Sequence, residues 1–393
     1  MPTDSSTERS ECSSEQEPSL ESSDSSESSE TSETSEPLSL LQPELKKKIL
    51  CVGLCRTDII QICREFPDEY SELECTDCRW QRGGNASNTC TVLAQFDVQV
   101  EFLGTLSGEE PRLHNLIGDM EEHHIEHSHC RTIPNTKSPI SSILVNKSNH
   151  SRTVWNYNPN LPELTINEFN RLNLNDYSWI HFEGRNVNNV VQMMKAIHDH
   201  NTAMRRDEDR VVNNPIVVSL EVYKEISGIC QLLPFADVVF IGEKFMDSEE
   251  SRNMTKTLDY INKVDVKPGA ILICAFDERG ALGRAPNGEY LQCPAQPPRP
   301  IVDIFGVSDT FNAAMIYFLY QENISYRDMW DDPEDEEQIN VDKQCPLEFI
   351  DPGILYQALV FACRLSGAKM GFKGFRQLRD LYEGFAVHRE IRL

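Results

Sequence analysis

Between residues 45 and 378 the chain alternates short apolar runs with amphipathic stretches. The apolar, β-rich runs fall at 49–54, 98–103, 142–146, 178–182, 215–222, 236–241 and 270–276. Several are continuous rather than alternating, the pattern of strands buried on both faces of a parallel sheet. Helical patterns lie between them: one after Gly83-Gly84-Asn85, then 187–197, 247–263, 309–321 and 353–367. Strands alternating with helices predict a doubly wound α/β sandwich, in which ligands bind at the carboxyl ends of the strands. More polar, alternating segments at 70–80 and 140–157 do not fit the central sheet and predict a small accessory sheet.

Two segments fall outside this pattern. Residues 1–44 hold fifteen Ser and twelve acids against one base, Arg9. Such a stretch has too little to bury to offset its ordering entropy, so a disordered tail is expected, either inert or a substrate for an acid-directed kinase. Residues 321–353 hold eleven acids against two bases and include Pro333; they read as an acidic surface insertion interrupting two helical regions. Together these segments carry most of the formal charge of -26 that comes from 37 basic and 63 acidic residues. That charge excludes a sequence-independent nucleic-acid binder, which needs a basic face, and disfavours anionic membranes. No apolar run reaches the ~18 residues of a membrane span, and the N-terminus lacks the apolar core of a signal peptide, so a cytoplasmic protein is expected.

The 13 cysteines are odd in number and scattered, which predicts free thiols. Cys75 and Cys78 have C-x2-C spacing, but no second pair completes a zinc site, so they too read as thiols. The stretch from Glu121 to His129 places His123 and His127 four apart, yet it is polar on all sides and reads as a solvated helix end.

Two glycine clusters carry the candidate chemistry. In Gly83-Gly84-Asn85-Ala86-Ser87-Asn88, glycines allow a ligand close to the backbone, and the amides of Asn85 and Asn88 reach one face of a first turn. Paired amides suit a hydroxyl-rich ligand; Asn85 acting as a helix N-cap fits the spacing as well. In Asp303-Ile304-Phe305-Gly306-Val307-Ser308-Asp309 an apolar stretch ends at a glycine and a helix begins at about Asp309. Free N–H groups there make an anion site, with Asp309 either a base beside a phosphate or a simple cap.

These blocks carry a resemblance. The segment from Arg79 to Asn88, Ile49 to Leu54 with Asp58, Trp179 to Asn186, Pro297-Pro298-Arg299, Asp309 to Ala313 and Gly367 to Phe375 are similar, in order, to the ketohexokinase branch of the PfkB family of ribokinase-like carbohydrate kinases. The resemblance runs from about 47 to 378. It implies a three-layer α/β sandwich over 45–393, with a small β-sheet lid at about 58–82 and 138–158 that doubles as a homodimer clasp. It implies transfer of the γ-phosphate of ATP to the 1-hydroxyl of fructose, with Mg2+ and a monovalent ion such as K+. By position, Asp58, Gly84, Asn85 and Asn88 would hold sugar hydroxyls, and Arg152 would face the phosphates. Asp277, Glu278, Arg279 and Gly280 would line the nucleotide site. Gly306, Val307 and Ser308 would form the anion hole, and Asp309 would be both base and sugar ligand.

The chain departs from the family in two places. In the family's Asp-Thr-x-Gly-Ala-Gly-Asp motif, Ile304 replaces the threonine and Ser308 a glycine; a Cβ at 308 costs roughly 1–2 kcal/mol if the position needs a positive φ. The Asn-x-x-Glu magnesium motif is missing after the strand ending at Ile241, where the chain reads Gly242-Glu243-Lys244-Phe245. Three readings follow: an active ketohexokinase-like kinase, an impaired paralogue that binds sugar or nucleotide because of Ser308, and a kinase for another acceptor.

Overall fold

The computed structural model describes residues 47–108, 111–149, 151–205, 215–245, 253–328 and 346–382. The tail 1–44 lies outside the described residues, as do 329–345 of the acidic segment; residues 321–328 complete a long helix. The first elements are β1 (Lys48–Val52), β2 (Arg56–Cys63), β3 (Asp77–Gly83), α1 (Asn85–Leu93), β4 (Val100–Leu103), β5 (Thr105–Ser107) and α2 (Pro111–Glu122). Next come β6 (Arg131–Ile133), β7 (Ile140–Asn146), β8 (Arg152–Tyr157), α3 (Ile166–Phe169), β9 (Tyr177–Glu183), α4 (Val187–Arg205), β10 (Val217–Lys224) and β11 (Val238–Lys244). The chain finishes with α5 (Met254–Lys263), β12 (Ile271–Ala275), β13 (Ala281–Arg284), β14 (Tyr290–Cys293), α6 (Val307–Asp328) and α7 (Pro352–Lys369).

Eight strands form the main sheet in the order β14-β13-β12-β11-β10-β9-β1-β4, parallel from β4 to β12 and antiparallel at β13 and β14. The continuous apolar runs become its interior strands because both faces are covered. Ile49 and Cys51 point into one core with α1, α6 and α7; Leu50 and Val52 point into the other with α4 and α5. This is the three-layer sandwich the pattern predicts. The pair β13–β14 was not legible, being short, partly polar and interrupted by Gly283.

A second sheet has the order β3-β2-β7-β8. The apolar run 142–146 belongs here, in β7, and not in the main sheet. Of the segment 70–80, strand begins only at Asp77. Register puts Ile60 and Ile143 on one face, above Phe305, and Trp80 and Trp155 on the other. Trp80, Trp155 and Tyr157 are more than half exposed. Among the described residues no helix is long and apolar enough to cross a membrane.

Candidate active site

The turn that opens α1 depends on two glycines. Gly84 has φ 109°, and a Cβ there would sit 2.0 Å from the Leu54 carbonyl oxygen. A Cβ on Gly83 would fall 2.1 Å from a carboxylate oxygen of Asp58. Only glycine lets Asp58 on β2 approach the start of α1 so closely. Gly84 is the N-cap and Asn85 the first helical residue, which corrects the capping role open to Asn85. Its Nδ2 donates across to Glu221 Oε1 on β10, at 3.1 Å. One turn later, Asn88 Nδ2 donates to Asp309 Oδ2 at 2.7 Å.

Helix α6 starts at Val307, two residues before the sequence suggested, so Asp309 is its third residue and not its cap. Gly306 has φ 73°, while Ser308 lies inside the helix and is not among the described residues with positive φ. The strain expected of a Cβ at 308 therefore does not arise. What the serine adds is a side chain in a cavity of about 100 Å³, lined by Arg152, Glu221, Glu243, Lys244, Ser308 and Asn312 among others. This cavity brings Arg152 and Ser308 together beside the α6 N-terminus, where free N–H groups favour an anion. Asp277 to Gly280 lie outside its lining, on the turn between β12 and β13. Arg279 reaches the cavity wall through an ion pair with Glu243.

Acidic residues crowd the carboxyl ends of the strands. Glu183 and Glu221 are paired in register across β9 and β10. Glu183 is satisfied: Oε2 accepts from Leu54 N at 3.0 Å and Oε1 from Arg185 at 3.0 Å. Glu221 is not. Its Oε2 is buried without a partner. Burial, then the charges of Asp309 and Glu183, hold its carboxyl well above the usual range, against bonds from Asn85 and Asn312. Asp309 is likewise pushed up to about 7, first by burial and further by Glu183 and Asp58, although the Asn88 bond and Arg56 oppose this. Burial also raises Asp58, against Arg56, whose Nε donates to it at 2.8 Å.

A second buried network ties the second sheet to the segment before α6. Asp303 Oδ1 accepts from Arg79 of β3 at 2.6 Å, and Oδ2 from Lys369 of α7 at 2.8 Å and from Gly374 N at 3.1 Å. Burial opposes ionisation of Asp303, but Lys369 and Arg79 outweigh it and hold the carboxyl below its usual range.

Sequence reasoning missed Glu183 and Glu221. The available signal was an acid closing each of two continuous apolar runs, 178–182 and 215–220, at the strand ends where ligands bind. The histidine stretch is less uniform than expected. His129 Nδ1 lies 2.6 Å from the buried carboxylate of Glu101, and His123 is half-buried against Gln95, with burial lowering its pKa. Asn160-Leu161-Pro162-Glu163 also spells Asn-x-x-Glu, but neither end lines the cavity and Glu163 pairs with Arg185.

No three metal-ligating side chains gather among the described residues. That arrangement still suits Mg2+, which keeps several waters and is held by one or two carboxylates plus substrate phosphates. The unpartnered oxygen of Glu221, lining the cavity with Ser308 and Arg152, fits that requirement.

The architecture is ribokinase-like. Ribokinase from Giardia lamblia superposes with a TM-score of 0.67 at 13% identity, covering 87% of this chain and 100% of that one. A fructokinase from Xylella fastidiosa with bound ATP gives 0.56 at 15% identity, over 89% of this chain and 100% of its own. Mouse ketohexokinase is 32% identical over 339 residues, covering 84% of this chain and 98% of the mouse protein. The profile of the pfkB family carbohydrate kinases matches residues 46–329, and the chain belongs to that family.

Proposed function

We propose that the chain is an ATP-dependent ketose kinase that phosphorylates the 1-hydroxyl of fructose, giving fructose 1-phosphate and ADP. The observation that carries this reading is the pairing of Asn88 with Asp309, a buried carboxyl held near pKa 7 at the start of α6, beside the cavity that Ser308 and Arg152 line. A base titrating near the working pH is suited to take a hydroxyl proton as attack proceeds. Asp58, Asn85 and Asn88 would hold sugar hydroxyls, and Asp309 would accept the proton of the reacting one. Amides of Gly306, Val307 and Ser308, with Arg152, would stabilise the phosphoryl oxygens. The turn at Asp277 to Gly280 would flank the nucleotide. Mg2+, when bound, would screen charge on the phosphates, and Glu221 is the residue placed to hold it. A lid closed by Arg79 on Asp303 would keep water from the γ-phosphate.

The outward lid face, with Trp80, Trp155 and Tyr157, supports pairing with a second copy. Sedimentation of the native protein and of Trp155→Arg tests this: dimer for the first and monomer for the second is the expected result.

The functional test is a panel of sugars and nucleosides with ATP and Mg2+, read by ADP release and product NMR. Fructose-dependent ADP formation, lost in Asp309→Asn, is expected. Full activity in that variant would remove Asp309 as the base, and turnover confined to another acceptor would remove fructose.

A further inference from the structure

Of the C-x2-C thiols, Cys75 has a different neighbour from the one the spacing suggests. Cys63 closes β2 and is 4% exposed; Cys75 is exposed and lies just before β3. Their sulfurs are 3.5 Å apart. Backbone bonds fix both neighbourhoods. Thr76 N donates to Ile62 O at 2.6 Å, its Oγ1 donates to the same oxygen at 2.9 Å, and Lys147 N donates to Cys63 O at 2.9 Å. Bringing the sulfurs to a bond of about 2.05 Å needs a shift of roughly 1.5 Å, within reach of a rotation of the exposed Cys75 side chain. Other described thiols also lie together, Cys51 with Cys90 and Cys293 with Cys363, but all four are buried. Cys63–Cys75 combines contact with an accessible sulfur; burial and the neighbouring Cys75 hold the Cys63 thiol above its usual pKa, which leaves the exposed Cys75 as the attacking thiol and Cys63 as the resolving one.

We propose that Cys63 and Cys75 are a peroxide-sensitive dithiol that closes to a disulfide and staples the far end of the lid. The Cys75 thiolate attacks a hydroperoxide oxygen, the O–O bond breaks, and hydroxide (or alkoxide) leaves, giving a sulfenic acid. Cys63 then attacks the Cys75 sulfur, the S–O bond breaks and water leaves, so two thiols and one hydrogen peroxide give one disulfide and two waters. The link would close residues 63–75 into a ring. Two residues beyond it, Asp77 pairs with Lys373 on the body of the enzyme, so the staple acts on a strand that ties the lid down. The disulfide goes beyond the proposed kinase reading and does not depend on it; only its effect on acceptor KM rests on that reading.

The test treats the full chain with hydrogen peroxide, quenches with catalase and maps peptides without reduction. A Cys63–Cys75 peptide and a 2 Da loss, both reversed by dithiothreitol, are expected. Trypsin cleavage after Arg64, inside the ring, should then release fragments only after reduction. Cys63→Ala should instead leave a dimedone-trappable sulfenic acid on Cys75. A Cys75–Cys78 link, a Cys75 sulfinic acid in the native chain, or untouched thiols would overturn the proposal. For the lid, oxidation should change acceptor KM by about threefold or more in the native chain and not in Cys63→Ala; an unchanged KM in linked protein would overturn the staple's effect on closure.

Discussion

Asn88 on α1 donates its amide to Asp309 on α6 at 2.7 Å, joining the first turns of two helices. The bond favours the ionised carboxylate, while burial and the nearby acids Glu183 and Asp58 oppose it, and the balance leaves Asp309 near 7. The acceptor kcat/KM, which reports the free enzyme, should therefore fall as pH drops through about 7, because the protonated acid cannot take a hydroxyl proton. Asn88→Ala removes the stabilising donor, so the acid limb should move to higher pH in the residual activity. A limb unmoved in that variant would separate Asp309 from the pH profile.

The same shift is a stability statement. The folded pKa of Asp309 is raised, so between about 4 and 7 the native state holds a proton that the unfolded chain has released, and stability falls as pH rises through that window. Above it the buried charge costs up to about 4 kcal/mol. Asp309→Asn keeps the shape and removes the charge. It should melt higher than the native chain at pH 8, by roughly 5 °C, and match it near pH 4. Calorimetry at the two pH values checks both halves of the prediction.

The main sheet was readable because strands covered on both faces must be apolar along their length, as in Val238 to Ile241. The second sheet was readable only as a pair of polar segments, because its alternation is broken by exposed Trp80 and Trp155 on one face. Of the site, the glycine turn, the paired amides and Asp309 were legible as a local motif. Glu183 and Glu221 come to the site from β9 and β10, far along the chain from Asn85, and only sheet register places them there. The Arg79–Asp303–Lys369 network is hidden for the same reason: its members are separated by more than 60 residues.

Glu221 is a buried acid with one oxygen unpartnered, so a cation recovers energy there that no protein group supplies. Glu221→Gln should raise the Mg2+ concentration needed for half-maximal rate by about tenfold or more. Electron paramagnetic resonance of Mn2+ with a non-hydrolysable ATP analogue gives a readout free of turnover. Equal Mn2+ affinity in both proteins would place the metal elsewhere.

Ser308 lies inside a helix, so its replacement by glycine relieves no backbone strain. Only the hydroxymethyl group in the cavity changes. Ser308→Gly is expected to alter kcat by less than about tenfold, under ~1.4 kcal/mol of barrier. A gain of about a hundredfold, close to ~3 kcal/mol, would instead support the impaired paralogue, with the serine crowding the phosphate.

Asp303 holds two cations, and one of them, Lys369, is wholly buried. Asp303→Ala leaves that ammonium without its counter-charge, and breaking a buried pair from one side costs about 3–5 kcal/mol. Lys369→Met removes the buried charge together with its desolvation cost and leaves Asp303 its bond to Arg79, so it should be the milder change. Because the folded pKa of Asp303 is depressed, its contribution is full above the unfolded carboxylate value and is lost as pH falls through the folded one. The native chain should therefore lose stability more steeply than Asp303→Ala below about pH 4, where the unfolded carboxyl titrates. Urea melts of the three proteins at pH 7 and pH 3.5 check this: a gap between native and Asp303→Ala that stays constant with pH would mean that the aspartate acts through shape alone.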